Sequence, residues 1–173
     1  MTHPVLKAVV AEFSAACKSL GYERVTRQRY AHEHPTIALT REISVYLSEK
    51  AEDVEFDITF LVRSLEWDTL QVIPHAQTGF ARDLIQVTSL ELEFPDSGPY
   101  VTALLVSKGA DADQVRDKIS SMVCSGEKEI LAGITSLDAF ADALANYNRK
   151  YVVFQGIVRE RELKAYQELR QNR

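Results

Sequence analysis

Cysteine is scarce in this sequence, and long apolar runs are absent. Cys17 and Cys124 are the only cysteines among 173 residues, too few and too far apart for a disulfide framework or a four-ligand zinc site. The longest apolar stretch, residues 100–106, is only as long as a strand, whereas a membrane helix needs roughly 18 apolar residues. The amino terminus lacks the pattern of a secretory signal, so we expect a cytoplasmic protein.

The short motifs of the commonest enzyme mechanisms are also missing. The sequence has no glycine-rich nucleotide loop, GxSxG elbow, HExxH pair, calcium loop or CxxC pair. Its net charge is −5, and both nucleic acid and anionic membranes require a broad positive field for binding. We therefore expect no cofactor, no membrane contact and no nucleic-acid partner.

What is present suits one domain over residues 1–173, since 46% of the residues are hydrophobic and 26% are charged. The clearest element is an amino-terminal helix from Pro4 to Leu20, with proline in its first turn and Gly21 as its stop. Cys17 falls on the apolar stripe of this helix, which indicates a core residue.

A β-hairpin is predicted next, over residues 37–47 and 54–62, where apolar and polar residues alternate. Arg41 is the one break in the inward-facing row of the first strand. Residues 22–31 are interpreted as a single preceding strand, whose polarity suggests the edge of a sheet.

A second hairpin is predicted over residues 90–94 and 100–106, joined by turn-forming residues. Its second strand is apolar on both faces, so we expect it near the sheet centre. Asp111 is then placed to cap a helix that ends at Gly126.

Two further helices are predicted over residues 135–144 and 157–173, while residues 65–87 give no firm assignment beyond a strand-like segment at 70–73. A helix, about five or six strands joined by hairpins, and then helices is the order typical of an α+β fold.

This layout resembles a family of bacterial α+β domains of unknown function. The resemblance lies in the Leu20-Gly21-Tyr22 end of the first helix, the arginine-rich strand, the hairpins and the late segment at residues 130–137. It implies an α+β fold and a bacterial origin, and it assigns no activity to any residue.

Histidines supply the sharpest local feature. His32 and His34 are separated by one residue, so on an extended segment they point the same way and could share a metal ion, with His75 as a third ligand. One of them could instead act as an acid or base. The alternative, which we favour, is a solvated polar turn beside Pro35.

Arginines make a second cluster, in which the guanidinium groups could bind a phosphate or carboxylate. The acidic segment at residues 49–68, with seven acidic and two basic residues, could neutralise it across the strands. Residues of opposite parity on a strand face opposite ways, which argues against one shared site. The candidate anion-binding residues are Arg24, Arg27, Arg29 and Arg41.

Trp67 and Tyr30 are candidates for a contact surface, because aromatic residues are favoured at binding hot spots. Asp111 and Asp113 form a DxD pair, but their place at a helix start favours capping over metal binding.

The leading functional hypothesis is a non-enzymatic module of accessory or immunity type that binds a protein partner through a sheet face or edge. The alternative is a small-molecule binder or enzyme for an anionic ligand, using the arginines and the His-x-His turn. A homodimer through the last helix or an edge strand is compatible with either.

Overall fold

The computed structural model describes residues 3–33, 39–64, 84–88 and 104–136, and the single positions 138, 139, 142, 164 and 168. These ranges contain two α-helices, a π-helical turn and one antiparallel sheet. In chain order the elements are α1 Pro4–Ser19, β1 Glu23–Thr26, β2 Arg29–Glu33, β3 Leu39–Glu49, β4 Asp53–Ser64, β5 Leu84–Thr88, β6 Leu104–Ser107, α2 Ala112–Gly126 and the π-helical turn Glu127–Leu131. The predicted α+β fold is confirmed.

Helix α1 has the predicted ends and the predicted buried face. The Nδ1 atom of His3 accepts a hydrogen bond from the backbone N–H of Val5 at 3.3 Å. Gly21 has φ 83°, a left-handed conformation that glycine adopts without strain. Phe13 and Cys17 lie fully buried on the face of the helix that meets the sheet.

Strands β3 and β4 form the predicted hairpin, paired from Leu39 opposite Ser64 to Glu49 opposite Val54. On β4 every second residue from Val54 to Val62 is buried, and on β3 Leu39, Ile43 and Val45 are buried on the same side, which we call the inner face of the sheet. Ile43 lies opposite Phe60 there, so the alternation in the sequence assigns the core side correctly.

The sheet is five strands wide, in the order β1-β2-β3-β4 followed by a position that β5 and β6 share. Strand β5 pairs with residues 59–63 of β4, and β6 pairs with residues 53–56. Strand β5 was not predicted, because it falls in the unassigned stretch. Leu105 of β6 is exposed on the outer face. The predicted strands at 70–73 and 90–94 lie outside the described residues.

The predicted single strand at residues 22–31 is instead a hairpin, and the interpretation was wrong there. Strands β1 and β2 pair from Glu23 opposite Ala31 to Thr26 opposite Arg29. Their turn contains neither glycine nor proline, the residues by which a turn is usually recognised. The hydroxyl of Thr26 instead accepts a hydrogen bond from the backbone N–H of Gln28 at 3.3 Å.

Helix α2 begins as predicted, since the Asp111 carboxylate accepts hydrogen bonds from the N–H groups of Asp113 at 2.7 Å and Gln114 at 3.4 Å. The α-helix also ends at Gly126, as predicted. Gly126 itself has a helical φ of −65°, and the chain continues past it as the π-helical turn. A side chain there would overlap the buried ring of Phe60, so this glycine at the end of the α-helix also permits close packing.

At the next predicted helix start, Ser136 Oγ accepts a hydrogen bond from the N–H of Ala139 at 3.1 Å. Asp138, Ala139 and Asp142 are helical, while the other residues of that predicted helix, and nearly all of the predicted helix at 157–173, lie outside the described residues. Within the described part of the chain, no helix combines the length and apolarity that crossing a bilayer requires.

Candidate functional site

The four candidate arginines do not share one site. Arg24 and Arg27 are exposed in the β1–β2 hairpin. Arg29 lies on the outer face, where its Nε is 2.9 Å from a carboxylate oxygen of Glu42. Arg41 faces inward, as the alternation along β3 requires. Any anion site in the described region therefore uses a subset of these residues.

Arg41 is unusual because a charged residue occupies the inner face of the sheet. In the strand pairing it lies between His32 of β2 and Val62 of β4. Its side chain is only 14% exposed. Burying a guanidinium is costly unless it is paired and hydrogen-bonded. The residues around Arg41 are therefore the ones to identify.

Three other side chains complete what we call the polar cluster, which consists of Tyr22, His32, Arg41 and Glu127. The rings of Tyr22 and His32 have centroids 5.7 Å apart. The π-helical turn begins at Glu127, whose Oε1 lies 3.8 Å from Arg41 Nη1. This ion pair is long, and the Nε–H of Arg41 has no hydrogen-bond partner among the described residues.

The polar cluster contains buried polar atoms that lack hydrogen-bond partners among the described residues. They are the Tyr22 hydroxyl, His32 Nδ1 and Arg41 Nε. Leaving such a group unpaired costs roughly 1–3 kcal/mol, and native structures contain few of them. The three atoms lie on neighbouring side chains, so hydrogen-bonding capacity is left over here among the described residues.

The Tyr22 hydroxyl stays protonated at neutral pH. Burial raises the pKa of Tyr22 well above its ordinary value of 10.0, and the nearby Glu127 carboxylate raises it further, while Arg41 acts in the opposite direction. Arg41 is thus close enough to act on the phenol through its charge and through a side-chain hydrogen bond, but that contact does not reach the distance and angles of a well-formed hydrogen bond. Tyr22 therefore offers a neutral O–H donor.

Cys17 lies next to this cluster and is chemically inert at neutral pH. Burial, reinforced by Cys124, raises the pKa of its thiol from 9.0 to about 12. The thiolate is the reactive form, so we expect a thiol reagent at pH 8 to modify only the exposed Cys124. Mass spectrometry should find one modified cysteine in the native protein and two in urea. Rapid native labelling of Cys17 would contradict this burial.

The raised pKa of Cys17 also makes the stability of the fold depend on pH. A thiol whose pKa is raised by folding contributes stability that is complete below pH 9.0 and is lost as the pH rises towards about 12.

The predicted metal site has no counterpart in the described structure. His32 belongs to the polar cluster, while His34 and His75 lie outside the described residues. Among the described residues no group of three or more His, Cys, Asp and Glu side chains is placed to hold a metal.

The contact-surface prediction for Tyr30 was wrong. Tyr30 is buried, with its ring against Phe13 and its hydroxyl 2.6 Å from Ser14 Oγ. A tyrosine with a hydrogen-bond partner at its polar end is well suited to a core.

Trp67, the other residue predicted for a contact surface, lies outside the described residues. Asp111 is a helix cap, as expected.

A second feature is an open groove of about 300 Å³ between the first half of α1 and the turn of the β1–β2 hairpin. Glu49 at its rim is paired with Lys108 at 3.1 Å, whereas Arg27 makes no ion pair with any described residue. The groove is lined by Leu6, Val10, Arg27, Gln28, Leu47 and Glu49.

The sequence singled out Arg41, His32 and Arg27. It did not reveal that Arg41 and His32 lie together in the polar cluster while Arg27 lies at the groove. Tyr22 was noted only at the end of the first helix, and Glu127 was not singled out. The available signal was Arg41 itself, an inward charge that requires polar neighbours. Comparison with protein families, curated proteins and solved structures finds no match.

Proposed function

We propose that this protein is an interaction module that binds a segment of a partner protein in the groove. The observation that carries this proposal is the combination of an aliphatic lining with a guanidinium at the rim, that of Arg27, which forms no ion pair with the described residues. Leu6, Val10 and Leu47 are only partly buried, so they offer apolar surface to an incoming side chain. Arg27 supplies a charged hydrogen-bond donor beside them.

Electrostatics favours a partner segment with a carboxylate at this position. Glu49, on the same rim of the groove, already forms an ion pair with Lys108. It therefore does not neutralise the positive charge of Arg27. The protein as a whole carries −5, so the groove offers a local positive contact on an acidic molecule. Such contrast orients a partner and accelerates its approach.

The neighbouring strand β1 extends the surface. All four of its residues are exposed, and Val25 is 51% exposed. A short, charged edge strand resists uncontrolled pairing with other chains, so we assign binding to the groove and give β1 the role of a flanking contact. An accessory or immunity-type role would use this surface.

Selection from a displayed random peptide library tests the proposal. We expect the protein to enrich peptides with an aliphatic residue next to Asp or Glu. Arg27→Ala should weaken their binding by at least about tenfold, because a hydrogen bond to a charged group contributes about 1.5–3 kcal/mol. Arg116→Ala, which removes an exposed arginine from α2, is the matched control and should leave binding unchanged.

Two outcomes would contradict the proposal. One is the absence of enriched peptides, and the other is equal weakening by both substitutions. If the occupant is a second copy of this chain, sedimentation equilibrium will show a dimer that Arg27→Glu dissociates, and the partner assignment made here is then incorrect.

A further inference from the structure

The polar cluster offers more donors than it has acceptors. Arg41 Nε carries a hydrogen and can only donate, and the neutral Tyr22 hydroxyl can donate as well. His32 Nδ1 donates or accepts according to its tautomer. All three atoms are buried without partners among the described residues. A group that satisfies them must therefore be rich in acceptor oxygens.

The charge balance limits that group to a single negative charge. Glu127 stands 3.8 Å from Arg41, so it offsets part of the guanidinium charge and repels anions. With one basic and one acidic group in the cluster, a dianion would lack sufficient compensation in a poorly hydrated site. A monoanion that approaches the Nε side of Arg41 keeps away from Glu127, which lies on the Nη1 side.

We propose that the polar cluster binds the carboxylate of a small organic acid. A planar carboxylate matches the planar guanidinium, whose Nε–H is free, and its second oxygen can accept from the Tyr22 hydroxyl. His32, which lies opposite Arg41 in the strand pairing, closes the third side. The side chains of Arg41 and Glu127 keep 14% and 16% of their surface exposed, and the ligand enters there.

This site is independent of the groove. On β3 the groove residue Leu47 and the cluster residue Arg41 are six positions apart, which corresponds to roughly 20 Å along an extended strand. No residue belongs to both. A result at one site therefore leaves the proposal for the other unchanged.

The test is a titration of the folded, ¹⁵N-labelled protein with sodium formate, in which the arginine Nε–H signals are recorded by NMR. Sodium chloride and sodium sulfate at equal ionic strength supply the comparison. We expect the Arg41 signal to move saturably with formate alone. Its assignment follows from its loss in Arg41→Lys, which keeps the charge and removes the Nε donor.

Tyr22→Phe tests the cluster with little change in shape, because it removes only the hydroxyl. We expect it to weaken formate binding at least tenfold. Arg29→Lys is the matched control, since it alters an arginine on the outer face of the same sheet, and it should leave binding unchanged.

Three results would overturn the proposal. They are an Arg41 signal that does not saturate with formate, an equal response to sulfate, and unchanged formate affinity in Tyr22→Phe. The last would show that the unpaired hydroxyl takes no part. Should Arg41→Lys fail to fold, Tyr22→Phe and the sulfate comparison still decide the question.

Discussion

Replacing Gly126 by alanine is expected to destabilise the protein by about 1–3 kcal/mol, the usual cost of overfilling a packed core. A methyl group at this position would overlap the ring of Phe60. That ring is fully buried in the centre of the sheet, so it has no free space into which to move. Either the end of α2 must lift or the ring must leave its preferred conformation.

Helix propensity predicts the opposite sign, which makes Gly126→Ala informative. Alanine is favoured over glycine inside a helix by about 1 kcal/mol, and Gly126 has helical backbone angles. Overlap with a buried ring should outweigh that gain. The net effect therefore reports directly on how closely the helix backbone approaches the sheet.

Thermal unfolding is the measurement, with a decrease in the midpoint of about 2–4 °C expected for each kcal/mol in a chain of this size. Gly133→Ala is the matched control, because a methyl group there meets no atom within 4 Å. If Gly126→Ala proves as stable as Gly133→Ala, the close approach to Phe60 is incorrect.

The close packing at Gly126 lies next to the polar cluster in the chain. Glu127 is the next residue and opens the π-helical turn. Its carboxylate pairs with Arg41 at 3.8 Å, so the packing contact of Gly126 with Phe60 and the polar cluster occupy neighbouring positions. Single-turn π-helical irregularities are frequent at functional sites.

Local patterns in the sequence were sufficient for α1 and for the β3–β4 hairpin. The helical spacing around Phe13 and the alternation from Ile43 to Phe60 depend on neighbours close in the chain or directly across a hairpin. Asp111 was identifiable as a cap for the same reason, since its hydrogen bonds reach only to Asp113 and Gln114. Arg41 was visible as an inward charge.

The polar cluster was not predictable from such patterns. Its members stand at positions 22, 32, 41 and 127, so the last comes from a helix end far along the chain. The role of Gly126 depends on Phe60 of a distant strand, which no local rule reveals. The turn between β1 and β2 was missed because a threonine hydroxyl takes the place of the usual glycine.

Phe13→Ala is expected to have the largest effect, lowering the free energy of unfolding by about 3–5 kcal/mol through lost burial and the cavity left behind. Phe13 is fully buried, and its ring meets Tyr30 edge-on with centroids 5.6 Å apart. It therefore anchors α1 to β2. Since domains are commonly stable by only about 5–15 kcal/mol, this loss approaches the stability of the whole fold.

Urea unfolding at equilibrium measures this prediction. The midpoint should fall sharply for Phe13→Ala and less for Phe13→Leu, which refills part of the cavity. Lys7→Ala on the exposed side of the same helix should change stability by no more than about 0.5 kcal/mol. A loss below about 1 kcal/mol for Phe13→Ala would be too small for a filled core position. Because Leu6 and Val10 of α1 line the groove, that site would then lack a fixed wall.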